Sequence, residues 1–565
     1  MRFIPSITPR VTPSPLTIHV KESPHDHDPP PPRPHTQPQP THSPYQTAIL
    51  HAVQHHTHSI TVNATAGSGK TTLIQMIATL LDEQHLVQPS QPVGVLSFNT
   101  HIVKPLRKLV PKQFDVRTVS SLGHLICTKN LPKLTFEPDK YKGLITEHLQ
   151  NSRIASPAAR RELRERLNAT LDLHVGHGLG LDTPLSDWAE QLNDVDAPII
   201  GAEDTLYQLT HRILRQGLQQ LQQHQVISFL DQVLAPTVFG WRLPDPYAFL
   251  LVDELQDLSR AQLTLLQAAT NDTSRLIGVG DGHQSLYAFN GADAHSMQRF
   301  TQLFHAVTMP LSISYRCPTR HVELARPYTT AIEAAPHAIG GTLDDLTGEE
   351  FEHRAQPGHL ALCRTNAPLI DWCYRLTAAG VPALVRGRDL SRSLVVLARD
   401  AATWDGQKAR RDQVSDGLSL STFTSNLNAY ADHLARHLTH EAERDGRDPD
   451  LRLAGLADRI TALNLVRERS QAQTLGELTT AIRSLFQGDP EKCVVLSTVH
   501  RAKGLEADTV YILAPELLPH PSANTPQAEA SETCAQFVAF TRSKRALYFV
   551  DAPQSRIPEY LRATA

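Results

Sequence analysis

At 565 residues the chain exceeds what one hydrophobic core organises, so roughly three to five compact units are expected. A formal net charge of −4 excludes a uniformly basic nucleic-acid coat but leaves room for a local basic channel. Six scattered cysteines without a CxxC pair argue against a zinc site or a disulfide framework, and no apolar run nears the roughly 18 residues of a membrane span.

The chain opens on MRFIPSITPRVTPSP, which has no continuous apolar segment of the secretory kind, so a soluble, cytoplasmic protein is expected. Residues 1–43 are dominated by Pro and His. Proline fixes φ and removes backbone donors, which predicts a disordered, semi-extended arm. His25, Asp26, His27 and Asp28 in it could bind a metal, but a solvated linker is the simpler reading.

From Pro44 onward short apolar runs alternate with helical lengths. SITVNA (59–64), VGVLSF (93–98), AFLLVD (248–253) and RLIGVG (275–280) form a first set of strands. HLALCR (359–364), CVVLSTV (493–499), TVYILA (509–514) and ALYFV (546–550) form a second. Two such sets predict an α/β fold with two parallel sheets covered by helices. Polar, helix-rich stretches interrupt both, at about 131–225 and 391–490. In the first, SPAARRELRERL opens with Ser156 as N-cap and Pro157 at the first helical position. In the second, Leu427, Tyr430, Leu434 and Leu438 mark one helical face before GRDPD breaks it.

Between the first strand and a helix lies ATAGSGKTT: Ala64, Thr65, Ala66, Gly67, Ser68, Gly69, Lys70, Thr71 and Thr72. Glycines let backbone N–H groups curl around phosphates, and the helix N-terminus adds its positive dipole end. Lys70 would reach the β- and γ-phosphates of ATP, and the Thr71 hydroxyl would take a Mg²⁺ position. In LLVDELQD, Asp253 would hold Mg²⁺ as a second metal residue, and Glu254 would orient or deprotonate the attacking water. GVGDGHQSLYAFNGAD (278–293) then joins an acid and an amide, suited to phosphate, to Tyr287 and Phe289, suited to a flat ring.

ATAGSGKT, SFNTHIVKPLR, VRTVSSLGHLI, VDELQD, VGDGHQSLYAFNGAD, SISYRCP, STVHRAKGLEAD and FVAFTRSK occur in the order seen in superfamily 1 helicases of the UvrD/Rep type. The chain resembles that family over nearly everything from Pro44 to the carboxyl terminus. The resemblance implies two RecA-like P-loop NTPase domains, each with a mainly helical insertion. The first domain would be 44–130 and 226–310, interrupted by insertion 131–225. The second would be 311–390 and 491–565, interrupted by a shortened insertion 391–490.

The resemblance further implies roles. Gln46 would read the adenine edge, Tyr315 would stack on the base, and Glu506 would bond the ribose. Gln284, Arg316 and Arg542 would contact the γ-phosphate, where guanidinium groups can be worth roughly 10³-fold in rate. Phe98, Tyr287, Phe289 and His500 would line a single-stranded DNA track, with stacking worth roughly 1–3 kcal/mol per base. Alone, Phe98 and Phe289 read as core aromatics and His500 as a core histidine; the motif order favours function for Phe289 and His500. Lys104, Arg107, Arg501 and Lys503 are candidate phosphate contacts.

The expected activity is therefore an ATP-dependent translocase and 3′–5′ DNA helicase, acting as a monomer beside repair or recombination proteins. Two readings stand next to it. One is an ATP-driven translocase that strips proteins from single strands without productive unwinding, since the second insertion is short. The other is a P-loop ATPase that does not act on nucleic acid.

Overall fold

The computed structural model describes residues 42–97, 100–150, 157–188, 203–284, 295–329, 331–407, 409, 415–445 and 448–562. The arm 1–41 and Ser156 lie outside the described residues.

Six strands make the first sheet: β1 (Ile60–Ala64), β2 (Val93–Ser97), β3 (Asp115–Thr118), β4 (Phe249–Val252), β5 (Arg275–Gly280) and β6 (Val307–Leu311). They run in the order β3-β2-β4-β5-β1-β6, every pair parallel. Alternation feeds two cores. Leu251, Ile277 and Val279 face Leu73 and Ile77 of the Lys70–Glu83 helix, while Leu250, Val252 and Leu276 face Leu122 and Phe300 on the other side.

The second sheet is built likewise from β7 (Thr342–Leu346), β8 (Leu360–Cys363), β9 (Ala383–Val385), β10 (Val494–Thr498), β11 (Ala507–Leu513) and β12 (Ser543–Val550). Its order is β7-β12-β11-β8-β10-β9, again all parallel. The fold class is therefore α/β with two parallel, helix-covered sheets, as the apolar runs suggest. We call the two halves the first and second lobes. All six cysteines are unpaired thiols.

Helices Lys140–Gln150, Pro157–Gly176 and Glu203–His224 build a core around Tyr141, Leu171, Trp188 and Leu214 that also takes in Cys127, Leu234 and Ala235 of first-lobe helices. A buried ion pair, Lys140 Nζ to Asp231 at 2.7 Å, ties that core to helix Phe229–Phe239. The other helical stretch behaves differently. Leu394, Leu427, Leu463 and Leu478 belong to one continuous core with Phe351, Trp372, Leu496 and Val550 of the second lobe. The helix Arg388–Ala402 accordingly begins before residue 391, because Leu390 is already buried in that core. Among the described residues no helix is long and apolar enough to cross a membrane.

Candidate nucleotide-binding cleft between the two sheets

At the end of β1 the chain turns through Thr65–Gly69 and enters helix Lys70–Glu83 without pause. Gly67 and Gly69 have φ of +71° and +82°, a region that favours glycine. Ser68 Oγ donates to the Thr65 carbonyl at 2.8 Å, and Thr65 N–H donates to the Leu311 carbonyl at 3.1 Å. Gly69 caps the helix without a side-chain bond, so the first-turn N–H groups meet no capping oxygen. Such a terminus attracts anions. Ala64, Thr65, Ala66 and Ser68 are buried; Gly67, Gly69, Lys70 and Thr71 are half-buried, and Thr72 is exposed. The Thr65 hydroxyl is buried without a partner.

Carboxylates gather opposite. Asp253 follows β4 and is buried, and its Oδ1 accepts the Glu254 N–H at 2.9 Å. Glu254 sits at φ +51°, a conformation costly for a non-glycine residue and held here by a short helical turn, Leu255–Asp257. Gln256 donates to Glu254 at 2.6 Å and accepts the Asp281 N–H at 2.9 Å. Gln284 donates to Asp281 at 2.7 Å. Burial and the neighbouring Glu254 charge push Asp253 above the usual carboxylate range, against the pull of Lys70. Burial also pushes on Glu254, but Lys70, Lys503 and Arg542 outweigh it and hold that carboxyl low and ionised. Burial raises Asp281 likewise, opposed chiefly by Lys70.

Among the described residues no three His, Cys, Asp or Glu side chains form a metal-ligating group. Magnesium needs only one or two protein oxygens when phosphates and water supply the rest. The Thr71 hydroxyl and the Asp253 carboxylate are hard donors of that kind, and Asp253 is a buried acid that a cation would neutralise. The residues fit the ion.

From the second lobe comes Ser314-Tyr315-Arg316. Tyr315 N–H donates to the Gly67 carbonyl at 2.9 Å, so this segment lies against the phosphate loop. The Tyr315 ring is 53% exposed, a free aromatic face beside that loop. Arg316 pairs with Glu506 at 2.5 Å, and Lys544 pairs with the same carboxylate at 2.6 Å. Glu506 is thus engaged by two cations, one on each carboxylate oxygen, and remains partly exposed. Arg542 is fully buried. It donates to the carbonyls of Val538 at 2.9 Å and Leu505 at 3.4 Å, and across the cleft to Gln284 Oε1 at 3.3 Å. Burial and the nearby Arg316 pull its pKa down to about 10.

Gln46 is buried at the start of helix Pro44–His55. Its side-chain oxygen accepts the Ser43 N–H at 2.9 Å in a capping box, so only its NH₂ end is available, near Gly69. Among the DNA-track residues, Phe98, Tyr287 and Phe289 lie outside the described residues. His500 is partly buried in the turn His500–Ala502; burial and Arg364 pull its pKa down to about 4, so the ring is neutral at pH 7. Lys104 and Arg107 are exposed, with Arg107 donating to the Val116 carbonyl at 2.9 Å. Arg501 donates to Asn366 at 3.2 Å. Lys503 departs from expectation: it is buried in an ion pair with Asp257 at 2.6 Å, so it does not present its charge to a passing phosphate. Sequence reading also missed Asp257, Gln256 and Lys544. Each lies within a quoted motif or one residue beyond a predicted role, so the signal was proximity, and only folding assigned the partners.

Two family models match the chain. The UvrD/REP helicase N-terminal domain matches residues 45–305, and the UvrD-like helicase C-terminal domain matches residues 416–553. A probable DNA helicase II homolog of Mycoplasma capricolum is 26% identical over 294 residues, 48% of this chain and 38% of that protein. ATP-dependent DNA helicase UvrD2 of Mycobacterium tuberculosis is 28% identical over 349 residues, 53% of this chain and 47% of that protein. ATP-dependent DNA helicase PcrA of Staphylococcus aureus is 27% identical over 624 residues, 88% of this chain and 83% of that protein. The chain spans less than half the length of the first two relatives and most of the third. With the glycine loop, the acidic turn and the facing arginines arranged across one cleft, and with both halves matched, the chain belongs to the UvrD/Rep type of superfamily 1 helicases.

Proposed function

We propose that this protein hydrolyses ATP in the cleft and uses the cycle to move along single-stranded DNA, 3′ to 5′, separating duplex ahead of it. The observation that carries the reading is the Gln284–Arg542 hydrogen bond at 3.3 Å, which joins the acidic side of the cleft to the arginine side. A triphosphate bound there would be gripped by both lobes.

The roles follow from charge. Lys70 and the first-turn N–H groups receive the β- and γ-phosphates. Thr71 and Asp253 would hold Mg²⁺, which supplies charge neutralisation at those oxygens when bound. Glu254, held ionised, accepts the proton of the attacking water. Arg316 and Arg542 stabilise charge on the equatorial oxygens in the transition state, and Gln284 registers whether the γ-phosphate is present. Tyr315 packs on the adenine ring, and Gln46 offers its NH₂ group to the base edge. A neutral His500, with Phe98, Tyr287 and Phe289, suits stacking on unpaired bases.

The test is ATPase activity with and without single-stranded DNA, in the wild type and in Lys70→Ala. Stimulation by DNA, and loss of hydrolysis with partial retention of DNA binding in the variant, are expected. Turnover indifferent to DNA would favour the P-loop ATPase that acts elsewhere.

One observation favours a second reading, the translocase that strips proteins without unwinding. The helices of the 391–490 stretch share the second lobe's core, so they are fastened to that lobe rather than set apart as a separate body to grip duplex. Strand-separation and streptavidin-displacement assays run side by side distinguish the two. Repair or recombination proteins on single strands are the partners this reading calls for.

A further inference from the structure

Two polar contacts join the acidic turns of the first lobe to the second lobe. One is Gln284–Arg542; the other is the ion pair of Lys503 Nζ with Asp257 at 2.6 Å, its side chains 8% and 4% exposed. Asp257 closes the turn that starts at Glu254, and its N–H donates to the Glu254 carbonyl at 2.9 Å. The two carboxylates therefore move as one unit. Lys503 directly follows the His500–Ala502 turn at the end of β10. Gly504, at φ +82°, then reverses the chain. Beyond it the Leu505 carbonyl accepts from Arg542 at 3.4 Å, and Glu506 holds Arg316 at 2.5 Å. Three residues within the four-residue stretch 503–506 thus reach the acidic turn of one lobe and both cleft arginines of the other, just after the His500–Ala502 turn.

A buried amine and a buried carboxylate each lose hydration, and their mutual contact offsets part of that loss. Parting the lobes would return both charges to water, so the cost of burying them is met only while the pair is made. An apolar pair would glue the lobes as well or better. What the ion pair adds is dependence on register: a lysine of the second lobe meets a carboxylate in the same turn that carries Glu254.

Resting on the reading of this cleft as the ATP site, we propose that Lys503 is a positioning residue. Through Asp257 it fixes the Glu254 turn when the lobes dock, linking the segment at His500 to hydrolysis.

The experiment compares Lys503→Met, Asp257→Asn and the double variant in the full chain. Each single change should lower the DNA-stimulated kcat about tenfold or more while KM for ATP moves less than about twofold. The double variant should be no worse than the poorer single, because two members of one unit are non-additive. Hydrogen exchange supplies a readout independent of DNA. Amides of 253–258 and 500–506 should lose protection together in either single variant, with β1 unchanged. Should Lys503→Met unfold, the double variant leaves no charge unpaired and is read against Asp257→Asn. Additive losses, a raised KM at constant kcat, or exchange that rises in one segment only would overturn the proposal. If the wild type shows no DNA stimulation, the functional reading falls and the exchange result alone decides the latch.

Discussion

A Cβ added at Gly67 would stand 2.8 Å from Ser314 Oγ and would also run into Arg316, both on the second lobe. The residue's φ of +71° adds a local penalty of about 1–2 kcal/mol for any side chain. Gly67 is thus needed twice, for the curl of the phosphate loop and for the approach of the opposite lobe. Gly67→Ala should therefore reduce ATP hydrolysis at least about tenfold and lower Tm by several degrees, on the same steric ground. Steady-state ATPase and a thermal melt check it; an unaltered melt would mean the lobes do not meet there. The residue scale also corrects one expectation. Lys503 carries a suitable charge for a phosphate, but the buried Asp257 carboxylate takes it.

Among elements, helix Ala367–Ala378 starts at Asn366, whose own side chain makes no cap. Asp458, on the distant helix Asp450–Ser470, accepts the Asn366 N–H at 2.9 Å and the Ala367 N–H at 2.8 Å instead. One carboxylate thereby caps a helix and fastens the 391–490 stretch to the second lobe. Asp458→Ala should cost about 1–2 kcal/mol in urea unfolding. A loss near zero would show the apolar core alone holds that seam. His321 marks another seam. Its ring bridges the Thr342 carbonyl at 2.8 Å and Ser543 Oγ at 2.7 Å, joining a helix to β7 and β12. Burial pulls its pKa down to about 4, below the roughly 6.5 of an unfolded histidine. The unfolded chain therefore binds the extra proton first. This contribution is intact above pH 6.5 and declines as the pH falls from there towards 4. The decline should be about 2 kcal/mol between pH 7 and pH 5. His321→Gln should show a smaller drop than wild type over that interval, measured by urea midpoints.

The elements left unforeseen share a property: β3, β6, β7 and β9 are the four edge strands of the two sheets. An edge is covered on fewer sides, so DVRT and TLDDL keep polar residues, VTMPL tolerates a proline, and ALV is short. The inner strands, buried on both faces, announced themselves as continuous apolar runs.

For the molecule as a whole, a formal charge of −4 supplies no general attraction to a polyanion. On the proposed reading, binding to a single strand rests on a few local cations and on stacking. Affinity for a single-stranded oligomer should then fall about 10- to 100-fold between roughly 50 and 200 mM salt. Fluorescence anisotropy titrations measure it, and a flat profile would deny a phosphate-tracking groove.

Sequence alone determined the chemistry that is local in the chain: the glycine loop with Lys70 and Thr71, the Asp253–Glu254 pair at a strand end, and the inner strands that place them. Those depend on neighbours a few residues apart, where spacing dictates direction. Only the tertiary structure decided which charges are spent and which remain. The pairing of Lys503 with Asp257, of Glu506 with Arg316 and Lys544, and of Asp458 with a foreign helix start joins residues far apart in sequence, where folding rather than spacing sets the partner; burial makes the first of these contacts obligatory.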